Sequence, residues 1–155
     1  MINMNKPKLT SLQRDILRFF FIRSTSKVNQ RTIARFIGVS PPAVMKALPE
    51  LEKHEIVLSK QDTESGRWEI KLNRNNINIM QLKRADNLAQ IYELGLSVYL
   101  EDEFPGATII LFGSYSRGDD TETSDIDIAV IGRKDKMLKL EKYESSFQTY
   151  REGAS

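Results

Sequence analysis

Residues 30 to 60 read QRTIARFIGVSPPAVMKALPELEKHEIVLSK. Two helix-forming runs flank Gly38-Val39-Ser40, and a β-prone run follows them. Asn29 stands where an N-cap is wanted for a helix over about 30–37, and Gly38 stands at C′, where a left-handed backbone costs glycine little. Ser40 is a favoured N-cap and Pro41 is tolerated at a first helical position, so a further helix opens there. Val44, Leu48 and Leu51 give it one apolar stripe down to about His54. Pro49 falls inside that helix and predicts a kink or a shortening.

Upstream, SLQRDILRFFFIR repeats Leu12, Ile16, Phe19 and Phe20 at helical spacing, and Thr10 with Gln13 can form a capping box. Downstream, IVLSK and RWEIKL are short β-prone runs around QDTESG, whose Asp, Ser and Gly are turn-formers, so a hairpin is expected. Three helices and a hairpin make a winged helix-turn-helix. The 30–60 stretch resembles the helix-turn-helix core of winged-helix DNA-binding proteins, with QDTESGRW as the wing, and the likeness covers about residues 8 to 75. Glu55 departs from it, standing where such proteins usually place a glycine.

The resemblance implies double-stranded DNA as a partner. Ser40, Pro42, Met45 and Lys46 open the recognition helix and would face a major groove, while Arg31, Arg35, Lys60 and Arg67 could meet phosphates. Only Lys46 is a good donor to base edges, so affinity is expected to be mostly phosphate-driven and salt-dependent. Trp68 reads as a packing residue of the wing.

Composition fits this picture. A chain of 155 residues with 40% hydrophobic and 28% charged content can build one domain or two small ones and is far from a disordered composition. The longest notable apolar cluster, Phe19 to Ile22, is too short to span a membrane, and the N-terminal MINMNKPKLT lacks a signal-peptide core; cytoplasm is the expected location. With no cysteine and a single histidine, His54, disulfides, thiolate sites and histidine-built zinc sites are excluded. Any metal is therefore held by oxygen. Residues 1–80 carry 14 Lys+Arg against 7 Asp+Glu, net +7, and residues 81–155 carry 9 against 14, net −5. The basic half suits polyanions and the acidic half suits cations.

After an asparagine-rich linker, NRNNINIM, the run QLKRADNLAQIYELGLSVYLEDEF is helical through Leu82, Ala85, Leu88, Tyr92, Leu96 and Tyr99, and Pro105-Gly106 stops it. Gly95 inside that helix would weaken it by about 1 kcal/mol relative to alanine, which implies close packing against a neighbour. Then come two β-prone runs, ATIILFGS and DIDIAVIG. If the second is a strand, Asp125, Asp127, Ala129 and Ile131 face one way, and Ile126, Ile128 and Val130 the other. Same-face neighbours lie roughly 6.6 Å apart, so both carboxylates could converge on one ion or two. Hard divalent ions, magnesium above all, suit such oxygens. Gly113-Ser114, ending the preceding strand, allows close backbone approach and can offer N–H groups and a hydroxyl to phosphate.

A strand, Gly-Ser, and then Ser-Asp-Xaa-Asp on a second strand, its first aspartate eleven positions after Ser114, together resemble the DNA polymerase β nucleotidyltransferase superfamily, especially its minimal members. That resemblance implies that Gly113 and Ser114 bind the triphosphate of an NTP substrate, and that Asp125 and Asp127 hold two magnesium ions and form the catalytic pair. Arg117 could lean on the triphosphate. Family members carry a third carboxylate on a later strand, and no such strand is legible here. The GRKDK turn leads instead into MLKLEKYESSF, helical through Leu140, Tyr143 and Phe147, and then a polar tail. Asp119, Asp120, Glu122 and Glu152 remain as substitutes.

The expected fold class is α+β. A winged helix-turn-helix over 8–75 is followed by a small mixed-sheet nucleotidyltransferase-like α/β domain over 81–155, short of its last strand. The expected function is DNA-tethered transfer of a nucleoside monophosphate from an NTP to a hydroxyl by a two-metal mechanism. The alternative is a catalytically weak or inactive DNA-binding regulator, antitoxin-like. A protein partner or acceptor and a homodimer stay open; a membrane is not expected.

Overall fold

The computed structural model describes residues 7–132 and 136–152, with the side chains of 150–152 left out. The MINMNK start, most of the GRKDK turn, the last three residues and the Glu152 side chain therefore lie outside the described residues. The chain divides into two compact units, one up to Asn76 and one from Ile77.

In the first unit α1 (Ser11–Ile22), α2 (Gln30–Ile37) and α3 (Pro41–Lys53) precede the strands β1 (Val57–Gln61) and β2 (Trp68–Leu72). Their ends are set locally. The Thr10–Gln13 capping box is present at α1, the Asn29 side chain accepts from the Thr32 N–H, and the Ser40 hydroxyl accepts from the Ala43 N–H. Gly38 closes α2 in the left-handed region at φ 81°. Pro49 does not shorten α3, which continues to Lys53. Glu55 then adopts φ 53°, the left-handed backbone that a glycine takes without strain. Its carbonyl accepts from the side-chain amides of Asn73 and Asn76, which hold the turn.

β1 and β2 pair antiparallel, with Val57 opposite Leu72 and Gln61 opposite Trp68. Val28, just before α2, bridges Ile70 through two backbone hydrogen bonds of 2.9 and 2.7 Å. The core is built mainly of apolar side chains: Ile16, Phe19, Phe20, Ile33, Val44, Leu51, Ile56, Val57 and Ile70 are fully buried. Phe19 meets Phe20 and Phe36 edge-on, each at 5.0 Å. This is a winged helix-turn-helix, as the sequence predicts.

The second unit runs α4 (Ile77–Glu93), α5 (Leu96–Glu103), β3 (Thr108–Phe112), α6 (Gly113–Arg117), β4 (Asp127–Ile131) and α7 (Glu141–Glu152). The helix begins at Ile77, inside the expected linker. The single long helix is two, because Gly95 breaks it at φ 79° as the N-cap of α5. A side chain at Gly95 would meet nothing within 4 Å, so its glycine serves backbone conformation and not close packing.

A second correction concerns the face of α4. Leu82, Leu88 and Tyr92, expected inside, are exposed, whereas Lys83, Asn87 and Gln90 are buried. Polar partners described below decide that orientation.

β3 and β4 pair antiparallel, with Ile109 opposite Val130, Leu111 opposite Ile128 and Phe112 opposite Asp127. Ile109, Leu111, Ile126, Ile128 and Val130 pack on a core of Ile91, Leu96, Leu100, Phe104, Tyr115 and Phe147. Phe147 brings in α7, which Tyr143 also anchors by lying against Tyr99 at 4.9 Å. Among the described residues this sheet has two strands.

Candidate active site at the β3–α6 turn

The alternation of β4 turns Ile128 and Val130 to the core, so Asp127 opens the strand on the opposite face and is half-buried. Asp125 does not share that strand. It lies exposed two residues ahead of it, after a Thr121–Ser124 turn in which the Thr121 N–H donates to the Ser124 hydroxyl at 2.9 Å. The ladder starts late because its partner ends at Phe112, where Gly113 turns away at φ 76°.

Gly113 packs directly on Asp127. A Cβ there would stand 2.1 Å from Asp127 Oδ2 and 2.9 Å from its Cγ, so only glycine fits against that carboxylate. Gly113 also begins α6, whose N-cap, Phe112, supplies no side-chain hydrogen bond to the first turn. Leading N–H groups without a side-chain cap, beside a carboxylate, suit an anion bridged by a cation. Ser114 is half-buried, and its carbonyl accepts from the Asp119 N–H at 3.0 Å. The exposed Arg117 donates from Nε to Asp119 at 3.0 Å.

Behind the turn lies a buried polar cluster of which the sequence reading named only Asp120, as a substitute third carboxylate. Lys83 and Asp120 form an ion pair with Lys83 fully buried. The Asn87 amide donates to Asp120 at 2.6 Å and to the Tyr115 carbonyl at 2.9 Å, and the Tyr115 hydroxyl donates to the Asn87 carbonyl at 3.1 Å. The available signal was the spacing of Lys83, Asn87 and Gln90, three polar residues on one helical face.

These partners also bear on the third carboxylate. Asp120 is engaged by Lys83 and Asn87, and Asp119 by Arg117. Among the described residues no cluster of three or more His, Asp or Glu side chains could hold a metal. Asp127 beside the Gly113-Ser114 turn, with Asp125 two residues ahead of it, still offers oxygen ligands of the kind magnesium takes, since that ion is commonly held by one or two carboxylates together with substrate phosphates.

In the first unit Arg31 and Arg35 are exposed on α2, and Pro42 and Lys46 on the first turns of α3. Met45 is half-buried, and Ser40, though exposed, caps α3. Lys60 and Arg67 flank the wing turn and are exposed, with Lys60 opposite Glu69 in the ladder. Among the described residues no helix is long and apolar enough to cross a membrane.

Comparison with known proteins finds the following likenesses. Residues 96–151 match the nucleotidyltransferase domain family. A Methanocaldococcus jannaschii protein named as a "putative protein adenylyltransferase" is 70% identical over 27 residues, 17% of this chain and 27% of the relative. The chain thus covers about a quarter of that curated relative's length. Among solved structures, the adhesin competence repressor of Streptococcus pyogenes is 21% identical at TM-score 0.48, covering 67% of this chain and 72% of its own. A zinc-responsive MarR family member of Lactococcus lactis is 30% identical at TM-score 0.43, covering 66% and 68%. The chain joins a winged helix-turn-helix unit to a second unit of which residues 96–151 match the model of the nucleotidyltransferase domain family.

Proposed function

We propose that the second unit transfers a nucleoside monophosphate from a nucleoside triphosphate to a hydroxyl, and that the first unit binds duplex DNA. The observation that carries the enzymatic reading is the Asp127 carboxylate lying against Gly113 at the start of α6. By analogy with the adenylyltransferase relative, ATP is the triphosphate and a protein hydroxyl the acceptor. Gly113 and Ser114 bind and orient the triphosphate through backbone N–H groups and the Ser114 hydroxyl, which supports in-line geometry by restricting rotation of the phosphates. Arg117 adds positive charge on the exposed side. Asp125 and Asp127 would hold magnesium, which when bound lowers the pKa of an attacking hydroxyl and neutralises charge on the leaving pyrophosphate.

The test is label transfer from α-labelled ATP with magnesium and candidate protein acceptors. Wild type is expected to label its acceptor and the Asp125→Ala, Asp127→Ala double variant to lose the reaction. Equal labelling by both refutes the proposal.

A second reading, a regulator with little or no catalysis, is supported by the winged helix-turn-helix unit, which exposes Arg31, Arg35 and Lys46. It predicts duplex binding without turnover. Binding by Arg31, Arg35 and Lys46 to phosphate and base edges should weaken steeply between about 50 and 200 mM salt. Arg31→Ala and Arg35→Ala should each reduce the salt slope by about one. Absence of duplex binding at the lower salt removes DNA binding from both readings.

A further inference from the structure

We propose that Asn87 and Lys83 are positioning residues for the triphosphate-binding turn, which they hold from behind through Tyr115 and Asp120; the proposal rests on the nucleotidyltransferase reading above. The starting point is the reversed face of α4, which exposes Leu88 and Tyr92 while burying Lys83, Asn87 and Gln90. Burying a lysine is costly, and an apolar pair of similar volume would hold two elements together at least as well. What a polar cluster adds is direction, since hydrogen bonds fix angles that apolar packing leaves free.

The element on the other side needs that direction. α6 has five residues, one turn and a little more, so it cannot hold its own shape or orientation by helix propagation. Asn87 brackets Tyr115 from both ends: its amide donates to the Tyr115 carbonyl while its own carbonyl accepts from the Tyr115 hydroxyl. Main chain and side chain of one α6 residue are thus tied to one residue of α4, which fixes rotation of α6 about its axis. The same Asn87 amide also reaches Asp120, whose carboxylate Lys83 neutralises, so the segment leaving α6 is held as well. Gly118, at φ 79°, completes the clamp; a Cβ there would stand 2.9 Å from the Met80 carbonyl of α4. With Gly113 set against Asp127 at the opposite end, α6 is fixed at both ends, and the Gly113-Ser114 N–H groups keep a constant aim.

The experiment measures magnesium-ATP affinity by calorimetry in the full chain, alongside label transfer and thermal melting. Wild type comes first: if it neither binds ATP nor transfers label, the nucleotidyltransferase reading fails and this proposal with it. If wild type binds, Asn87→Ala should weaken ATP binding about tenfold or more in protein still folded at the assay temperature. The Lys83→Met, Asp120→Leu double variant should melt near wild type, because the pair is removed together, and yet keep the defect in ATP affinity. A merely structural cluster would instead recover both. Folded Asn87→Ala with wild-type ATP affinity overturns the proposal; should that variant not fold, wild-type affinity in the double variant overturns it.

Discussion

The α-carbon of Gly113 rests on the carboxylate of Asp127, so closely that a methyl group placed there would overlap Oδ2 at 2.1 Å. One glycine thereby joins the strand that carries the carboxylate to the helix that follows β3.

Gly113→Ala is expected to disable this turn twice over. The added Cβ pushes Asp127 off its position, and φ 76° costs a non-glycine residue about 1–2 kcal/mol. Magnesium-dependent ATP binding should fall at least about tenfold, since displaced liganding groups lose geometry before they lose chemistry. Calorimetric titration checks it, and wild-type affinity in the alanine variant contradicts the proposed role of the turn.

Asp120→Ala leaves the fully buried Lys83 without its carboxylate. Removing one partner of a buried ion pair typically costs about 3–5 kcal/mol. Urea unfolding of wild type and variant, followed on a probe in the second unit, should show a loss of that order. A loss below about 1 kcal/mol, the range of an exposed pair, would mean that other partners or water satisfy Lys83 once Asp120 is gone.

Local chemistry was legible in the sequence, and long-range polar pairing was not. Thr10 with Gln13, Asn29, Ser40 and Gly38 mark helix ends because a cap is decided within three or four residues. The inward face of α4 was misread because it depends on Asp120, 33 residues beyond Asn87, and hydrophobic periodicity is blind to such a partner. Gly95 was assigned to packing because helical patterns on both sides of it join smoothly, while only the left-handed backbone reveals the break. The alternation that sets Asp127 on the face opposite Ile128 and Val130 was legible, because it is decided within β4 itself. Asp125 was placed in the strand and lies two residues ahead of it, since β4 begins only at Asp127, where β3, ending at Phe112, can pair with it.

Glu55 shows the same limit from the other side. The sequence marks it as a departure from the glycine common at that place, and the backbone still adopts φ 53°. Two asparagine amides on its carbonyl make the conformation tolerable without removing its cost. Glu55→Gly is expected to stabilise the winged-helix unit by roughly 0.5–1 kcal/mol, the strain released being partly offset by the greater freedom of glycine in the unfolded chain. Chemical denaturation decides it: a destabilised glycine variant would mean that the Glu55 side chain contributes more than its backbone loses.

The wing turn supplies a pH dependence. Asp62 Oδ1 accepts from the Ser65 N–H at 2.6 Å and from the Glu64 N–H at 3.0 Å. The backbone hydrogen bond from Ser65, foremost, holds its carboxyl below the ordinary value. A carboxylate with a depressed folded pKa binds its proton more weakly in the folded chain than in the unfolded one. Its contribution is therefore complete above the unfolded pKa of about 4 and is lost as pH falls through the lower folded pKa. Wild type and Asp62→Ala should accordingly differ in melting temperature at pH 7, and the difference should shrink on acidification below about pH 4. Because the turn is exposed, the effect belongs to the hairpin more than to the whole unit, and amide exchange at Ser65 and Gly66 is the sharper measurement. Faster exchange at these amides in Asp62→Ala at neutral pH, converging with wild type in acid, is the expected result. Equal exchange at neutral pH would show that the Gly66–Asp62 and Asp62–Arg67 backbone hydrogen bonds hold the wing turn without the carboxylate.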